Sequence, residues 1–113
     1  MKRRSVAYAF QSGLDMPEIL EALKVSSPWR WVPRDNDSWG AYVSAGVLSK
    51  PDFGVAKIIE EEGRYVLSIQ LKFESSTDEE ANARLASVTR IARDDVLPAI
   101  QAGRIEPTET VER

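Results

Sequence analysis

The chain contains no cysteine and no histidine. The first absence excludes a disulfide framework, a thiol nucleophile and any thiolate metal site. The second removes the commonest general acid–base, the commonest metal ligand and the main switch at mildly acidic pH. No glycine-rich phosphate loop or nucleophile elbow occurs, and the six glycines are scattered at turn-like positions. No apolar run is long enough to span a membrane. The one basic cluster, Lys2-Arg3-Arg4, precedes an apolar stretch, Val6 to Phe10, that is too short for the core of a secretion signal. The net charge of −3 argues against a nucleic-acid binder, which ordinarily carries a basic stripe. A cytoplasmic protein without catalytic residues, cofactor or metal is expected, with no membrane and no nucleic acid among its partners.

What is present is an ordinary globular composition, 42% hydrophobic and 29% charged over 113 residues. That length suits one domain, expected over residues 1–105, followed by a flexible polar tail over 106–113 that contains Pro107. The clearest pattern runs from Tyr65 to Glu74. Tyr65, Leu67, Ile69, Leu71 and Phe73 alternate with Val66, Ser68, Gln70, Lys72 and Glu74, the period of a strand that buries one side. Val55 to Glu60 can pair back on it through a tight turn at Glu62-Gly63. Ile58 then opposes Leu67, Ala56 opposes Ile69, and Lys57 opposes Ser68 on the other face. A one-residue slip would bring Lys57 into the core, so the register is strongly specified.

Ser5 to Gln11 alternates in the same way, with Val6, Tyr8 and Phe10 on one side and Ala7 and Ala9 on the other. A helix follows, capped by Asp15 with Pro17 in its first turn and Glu18 closing a capping box. Trp29 to Ala45 reads as a second hairpin turning at Asn36-Asp37, with Pro33 marking an edge strand or a bulge. A turn there sets Trp31 opposite Tyr42. Val47 to Phe53 reads as a loop. A long helix begins at Thr77 with Glu80 completing its capping box; Leu85, Val88, Ala92 and Val96 form its apolar stripe. Pro98 should kink or restart it, and Gly103 should stop it. The order βαββββα implies an α+β two-layer sandwich: a mostly antiparallel sheet of about five strands, two helices on one face, a ferredoxin-like variant being one such arrangement.

Three features invite a functional reading. All three tryptophans, Trp29, Trp31 and Trp39, lie close to Tyr42, and such aromatics are enriched at interface hot spots. Asp35-Asn36-Asp37-Ser38-Trp39-Gly40 matches the opening of a calcium loop in part. However, Trp39 stands where an oxygen ligand is needed and Gly46 where a glutamate is needed, so a hairpin turn explains it better. The acidic groups Glu60-Glu61-Glu62 and Asp78-Glu79-Glu80 fall at a hairpin tip and in a first helical turn, where negative charge is stabilised. The sheet's second face should present Ala7, Ala9, Lys57, Ile59, Val66, Ser68 and Gln70, small residues around an apolar centre, flanked by the tryptophan hairpin.

The expected function is a small non-enzymatic module that binds another protein. An immunity-type protein that neutralises a toxin is one form, its acidity steering it onto a basic target. The alternatives are a small-molecule binder or cofactor-free enzyme with a cavity between sheet and helices, lined by Tyr8, Arg30 or Tyr42, and a structural module that dimerises through its open sheet face.

Overall fold

The structure is a computed structural model that describes residues 2–37 and 40–109. It is an α+β sandwich with a six-stranded antiparallel sheet and its helices on one face. In chain order the elements are β1 (Lys2–Gln11), α1 (Met16–Ser26), β2 (Trp31–Asn36), β3 (Gly40–Gly46), β4 (Phe53–Glu61), β5 (Arg64–Phe73), α2 (Asp78–Ile91), a π-helical turn (Ala92–Val96), α3 (Leu97–Ala99) and β6 (Gly103–Pro107). The sheet order is β2-β3-β4-β5-β1-β6. Thus α1 carries the chain from β1 to the far edge, and a four-strand meander returns to β1. Then α2 crosses back, and β6 is laid on β1's other side. A ferredoxin-like domain has the same connectivity with a two-strand meander.

The β4–β5 hairpin has the register that alternation dictates: Ala56 opposite Ile69, Lys57 opposite Ser68, Ile58 opposite Leu67. Glu62 and Gly63 take φ of 53° and 79°, the paired left-handed residues of a turn that matches strand twist. The inward residues Tyr65, Leu67, Ile69, Leu71 and Phe73 join Phe10, Ile19, Leu23, Trp31, Val88 and Ile100 in one core. Because β5 lies between β4 and β1, its outward residues Val66 and Ser68 are buried as well. At the other end of β4, Gly54 lies under the preceding loop. A methyl group there would come within 2.8 Å of both Leu48 and Val47 side chains and 2.9 Å of Leu71.

Both capping boxes form. The Asp15 carboxylate accepts the Glu18 N–H at 3.0 Å while Glu18 accepts the Asp15 N–H at 3.0 Å. Thr77 and Glu80 repeat the exchange at 3.0 and 3.1 Å. These bonds to Thr77 hold the Glu80 carboxyl below the usual carboxylate range. Lys2 and Arg4 reach across from β1 to Asp78 at 3.2 and 3.3 Å, so part of the N-terminal basic cluster ties β1 to the first turn of α2. Those contacts lower the Asp78 pKa.

Three details differ from the pattern-based expectation. A sixth strand exists: Glu106 pairs with Ala9 and Pro107 with Tyr8, so residues assigned to the tail lie in the sheet. Residues 110–113 are outside the described set. Second, the long helix ends before Gly103. Pro98 cannot donate and crowds the preceding turn. The helix widens, with the Leu97 N–H bonded to the Ala92 carbonyl, and then closes with Gln101 in the left-handed region (φ 55°). The Gln101 and Ala102 N–H groups bond back to Pro98 and Leu97 at 3.2 and 3.1 Å, a Schellman closure without glycine.

The third difference is the β2–β3 register. Asn36 pairs with Gly40, which takes φ 73°, so the loop is longer than a two-residue turn. Trp31 therefore faces Ala45, and Tyr42 faces Arg34. The slip from the expected Trp31–Tyr42 pair is odd in residues, which sends the two aromatics to opposite faces.

Leu67→Ala should cost roughly 2–5 kcal/mol. Leu85→Ala should cost distinctly less, since Leu85 is half-buried at the margin of the core. Gly54→Ala should destabilise by about 1–3 kcal/mol through overpacking. Urea midpoints of the three variants check this ranking. A pH effect should also appear. The Tyr65 hydroxyl donates to the Leu14 carbonyl at 2.8 Å. Burial, and then the nearby Glu60, raise its pKa above the ordinary 10.0. Its stabilising contribution is thus complete below pH 10 and lost as pH climbs through the higher folded-state value. Tyr65→Phe should flatten that alkaline loss in melting temperatures recorded between pH 8 and about 11.

Candidate functional site

The helices leave the second face of the sheet uncovered by any helix among the described residues: α1 packs toward β2 and β3, and α2 toward β1, all on the core side. The ladder registers lay out the outer face in rows. One row runs Val32, Ser44, Lys57, Ser68, Ala7. Beside it lie Ile59, Val66, Ala9 and Glu106. On the other side lie Gly46, Val55, Gln70 and Ser5, and beyond them Phe53, Lys72 and Arg3.

The centre of this face is a small second core. Ala7, Ala9, Ile59 and Val66 are buried together, and half-buried Tyr42 packs against them. Ser68, 3% exposed, and Ser44 are buried polar neighbours. Lys57 lies between those two serines and is half-buried, while the Arg34 guanidinium reaches Ser44 Oγ at 3.4 Å. At one end Phe53 is 56% exposed, with Lys72 Nζ 5.8 Å above its ring. At the other end Arg64 pairs with Glu106 at 3.1 Å across a shallow cleft that Arg104 also lines.

Of the residues that the sequence singles out, Tyr42, Lys57, Ile59, Val66, Ser68 and Gln70 are thus brought together on one face. Ile59 and Val66 form its buried floor and are not displayed to solvent. Trp31 and Trp29 are on the helix side. Trp31 is 2% exposed, donates its indole N–H to Ser27 Oγ at 3.0 Å and meets Trp29 at 6.2 Å between ring centroids. Ala45 and Ala56, its neighbours along the inner row, are too small to crowd it. Trp39 lies outside the described residues. Tyr8 lines a cleft beside β6 with Arg93, Leu97, Ile105 and Pro107, whereas Tyr42 is on the opposite face and Arg30 is exposed.

Phe53, Arg34 and Ser44 belong to the outer face and escape the sequence reading, which has Lys72 in the outward set of its strand without naming it as a site residue. The signal for Phe53 is the alternation of Val55, Lys57 and Ile59 extended backward past Gly54. The glycine makes that stretch look like loop.

A lysine flanked by two serines could in principle be a nucleophile–base arrangement. Acyl transfer also needs N–H donors aimed at a developing oxyanion. Here Lys57, Ser44 and Ser68 sit within paired strands whose backbone donors serve the ladders in the plane of the sheet. Among the described residues no cluster of three carboxylates could hold a metal ion, and no helix is long and apolar enough to cross a membrane. The arrangement combines an aromatic rim, a polar row and a buried apolar floor.

The chain has no match among protein-family models, and none among curated proteins.

Val66→Glu should destabilise the fold by about 3 kcal/mol or more, because Val66 is 1% exposed and a carboxylate there would be desolvated. Gln70→Glu, at a half-buried position on the same strand, should shift the denaturation midpoint much less. Equal shifts would mean that the floor is open to water.

Proposed function

We propose that the chain is a small non-enzymatic module that binds another protein through the outer face of its sheet. The observation that carries the reading is Phe53, a large aromatic exposed on a rigid sheet face that no described helix covers, with Lys72 over its ring and Tyr42 farther across the same face. An exposed aromatic on a preorganised surface loses little conformational entropy on binding and buries a large apolar area. The buried floor beneath keeps the strands in register while the rim makes contact.

The reading carries with it a cytoplasmic location and a partner that is a second protein, for instance a toxin that an immunity-type protein neutralises, or a second copy of this chain. A small-molecule binder or cofactor-free enzyme is the second reading: of Tyr8, Arg30 and Tyr42, Tyr8 lines the cleft with Arg93, Leu97, Ile105 and Pro107, Tyr42 is on the outer face and Arg30 is exposed.

The test is quantitative capture from a lysate combined with sedimentation. Phe53→Ala and Tyr42→Ala should weaken recovery of the bound protein, or dissociate a self-assembly, with the melting temperature of the free protein nearly unchanged. Val25→Ser, at an 86% exposed position on α1, is the control and should leave recovery intact. Loss with Val25→Ser alone would move the binding surface to the helices and end the sheet-face reading.

A further inference from the structure

The charge of the outer face is opposite to that of the whole chain. By strand alternation Arg3, Arg34, Lys57, Arg64 and Lys72 point outward, and Arg104 lines the outer cleft with Arg64; among the described strand residues the acidic ones on that face are Glu61 and Glu106. Asp52, whose carboxylate accepts the Glu74 N–H at 3.0 Å, and Glu74 lie just past the Phe53–Lys72 end. Glu106 is already paired with Arg64. Yet the net charge is −3. The acidic excess therefore lies elsewhere, in the first turns of α1 and α2 (Glu18, Asp78, Glu79, Glu80), at Asp94 and Asp95, and at the loop ends. The helix layer is acidic on balance, with eight carboxylates (Asp15, Glu18, Glu21, Asp78, Glu79, Glu80, Asp94, Asp95) against Lys24, Arg84, Arg90 and Arg93, and with Asp78 bridged by Lys2 and Arg4. The strand residues of the sheet face are basic on balance.

Resting on the sheet-face reading above, the geometry points to an acidic protein surface as the occupant of this face. Complementary potential steers such a partner to the sheet and repels it from the helices, which orients the encounter before contact. Phe53 and Lys72, adjacent to Arg3, then supply an apolar anchor inside a cationic rim. A nucleic acid fits less well. The centre of the face is alanine, serine and valine, where single-strand binding needs a row of aromatic platforms. Two carboxylates interrupt the basic rim, and the overall negative charge opposes a long polyanion. The same polarity does not suit a basic nuclease as the target at this face. If the partner is a toxin, its docking surface is acidic.

The experiment titrates the isotopically labelled chain with three probes, a poly-glutamate peptide, a poly-lysine peptide and single-stranded oligothymidylate, and follows backbone amide shifts. Poly-glutamate should perturb β1, β4 and β5 around Arg3, Phe53 and Lys72, and poly-lysine should perturb the helix layer. The double variant Arg3→Glu/Lys72→Glu should weaken poly-glutamate binding by at least about tenfold, and raised salt should do the same to the parent, as expected for exposed charges. Poly-glutamate shifts confined to the helices, or unaffected by the double variant, would overturn the inference, and tighter binding of oligothymidylate would replace the acidic protein by nucleic acid. The capture assay separates the two levels. Recovery lost in Phe53→Ala but retained in Arg3→Glu/Lys72→Glu would sink the charge inference and leave the sheet-face reading standing. Recovery retained in both would sink the reading itself.

Discussion

The structure depends on one ladder, the pairing of β1 with β5 from Lys2–Phe73 to Phe10–Tyr65. It joins the start of the chain to the end of the meander and makes β5 an interior strand. Once β5 has neighbours on both sides, its inner row packs against the helices and its outer row is walled in by Ala7, Ala9 and Ile59. Ala7 and Ala9 on β1 are the cross-strand neighbours of Ser68 and Val66, and all four are buried. The sheet thus has a second, smaller buried cluster on its outer face.

That floor shapes any binding the face can do. The polar row Ser44–Lys57–Ser68 lies on interior strands. On the proposed reading, specificity comes from the rim, from Phe53 with Lys72, from Tyr42 and from the arginines. Rigid strands carry these side chains, so a partner meets a surface that needs little reorganisation.

The helix side has a different role. Trp31 and Trp29 fill the space between α1 and the β2–β3 edge, held by one serine hydroxyl, Ser27 Oγ, which accepts from the Trp31 indole and the Trp29 backbone N–H at 3.0 and 3.2 Å. The tryptophan cluster that composition marks as a site is in this part a structural device at a sheet edge.

Local chemistry was legible in the chain wherever a short-range rule decides the outcome. Both capping boxes, the Glu62-Gly63 turn, the β4–β5 register and the one-sided apolar pattern of β5 follow from residues at most a few positions apart. The α+β class followed from their order. Tertiary structure decided the rest. The β2–β3 register turned on which residue could take a positive φ, and Gly40 outweighed the Asn36-Asp37 pair. The β6 strand, made of exposed residues with Pro107 among them, has no pattern of its own and exists because β1 offers an open edge. The burial of Val66 and Ser68 and the gathering of Arg3, Arg34 and Lys72 on one face come from strand neighbours far apart in sequence, and alternation along one strand carries no information about which strand will lie beside it.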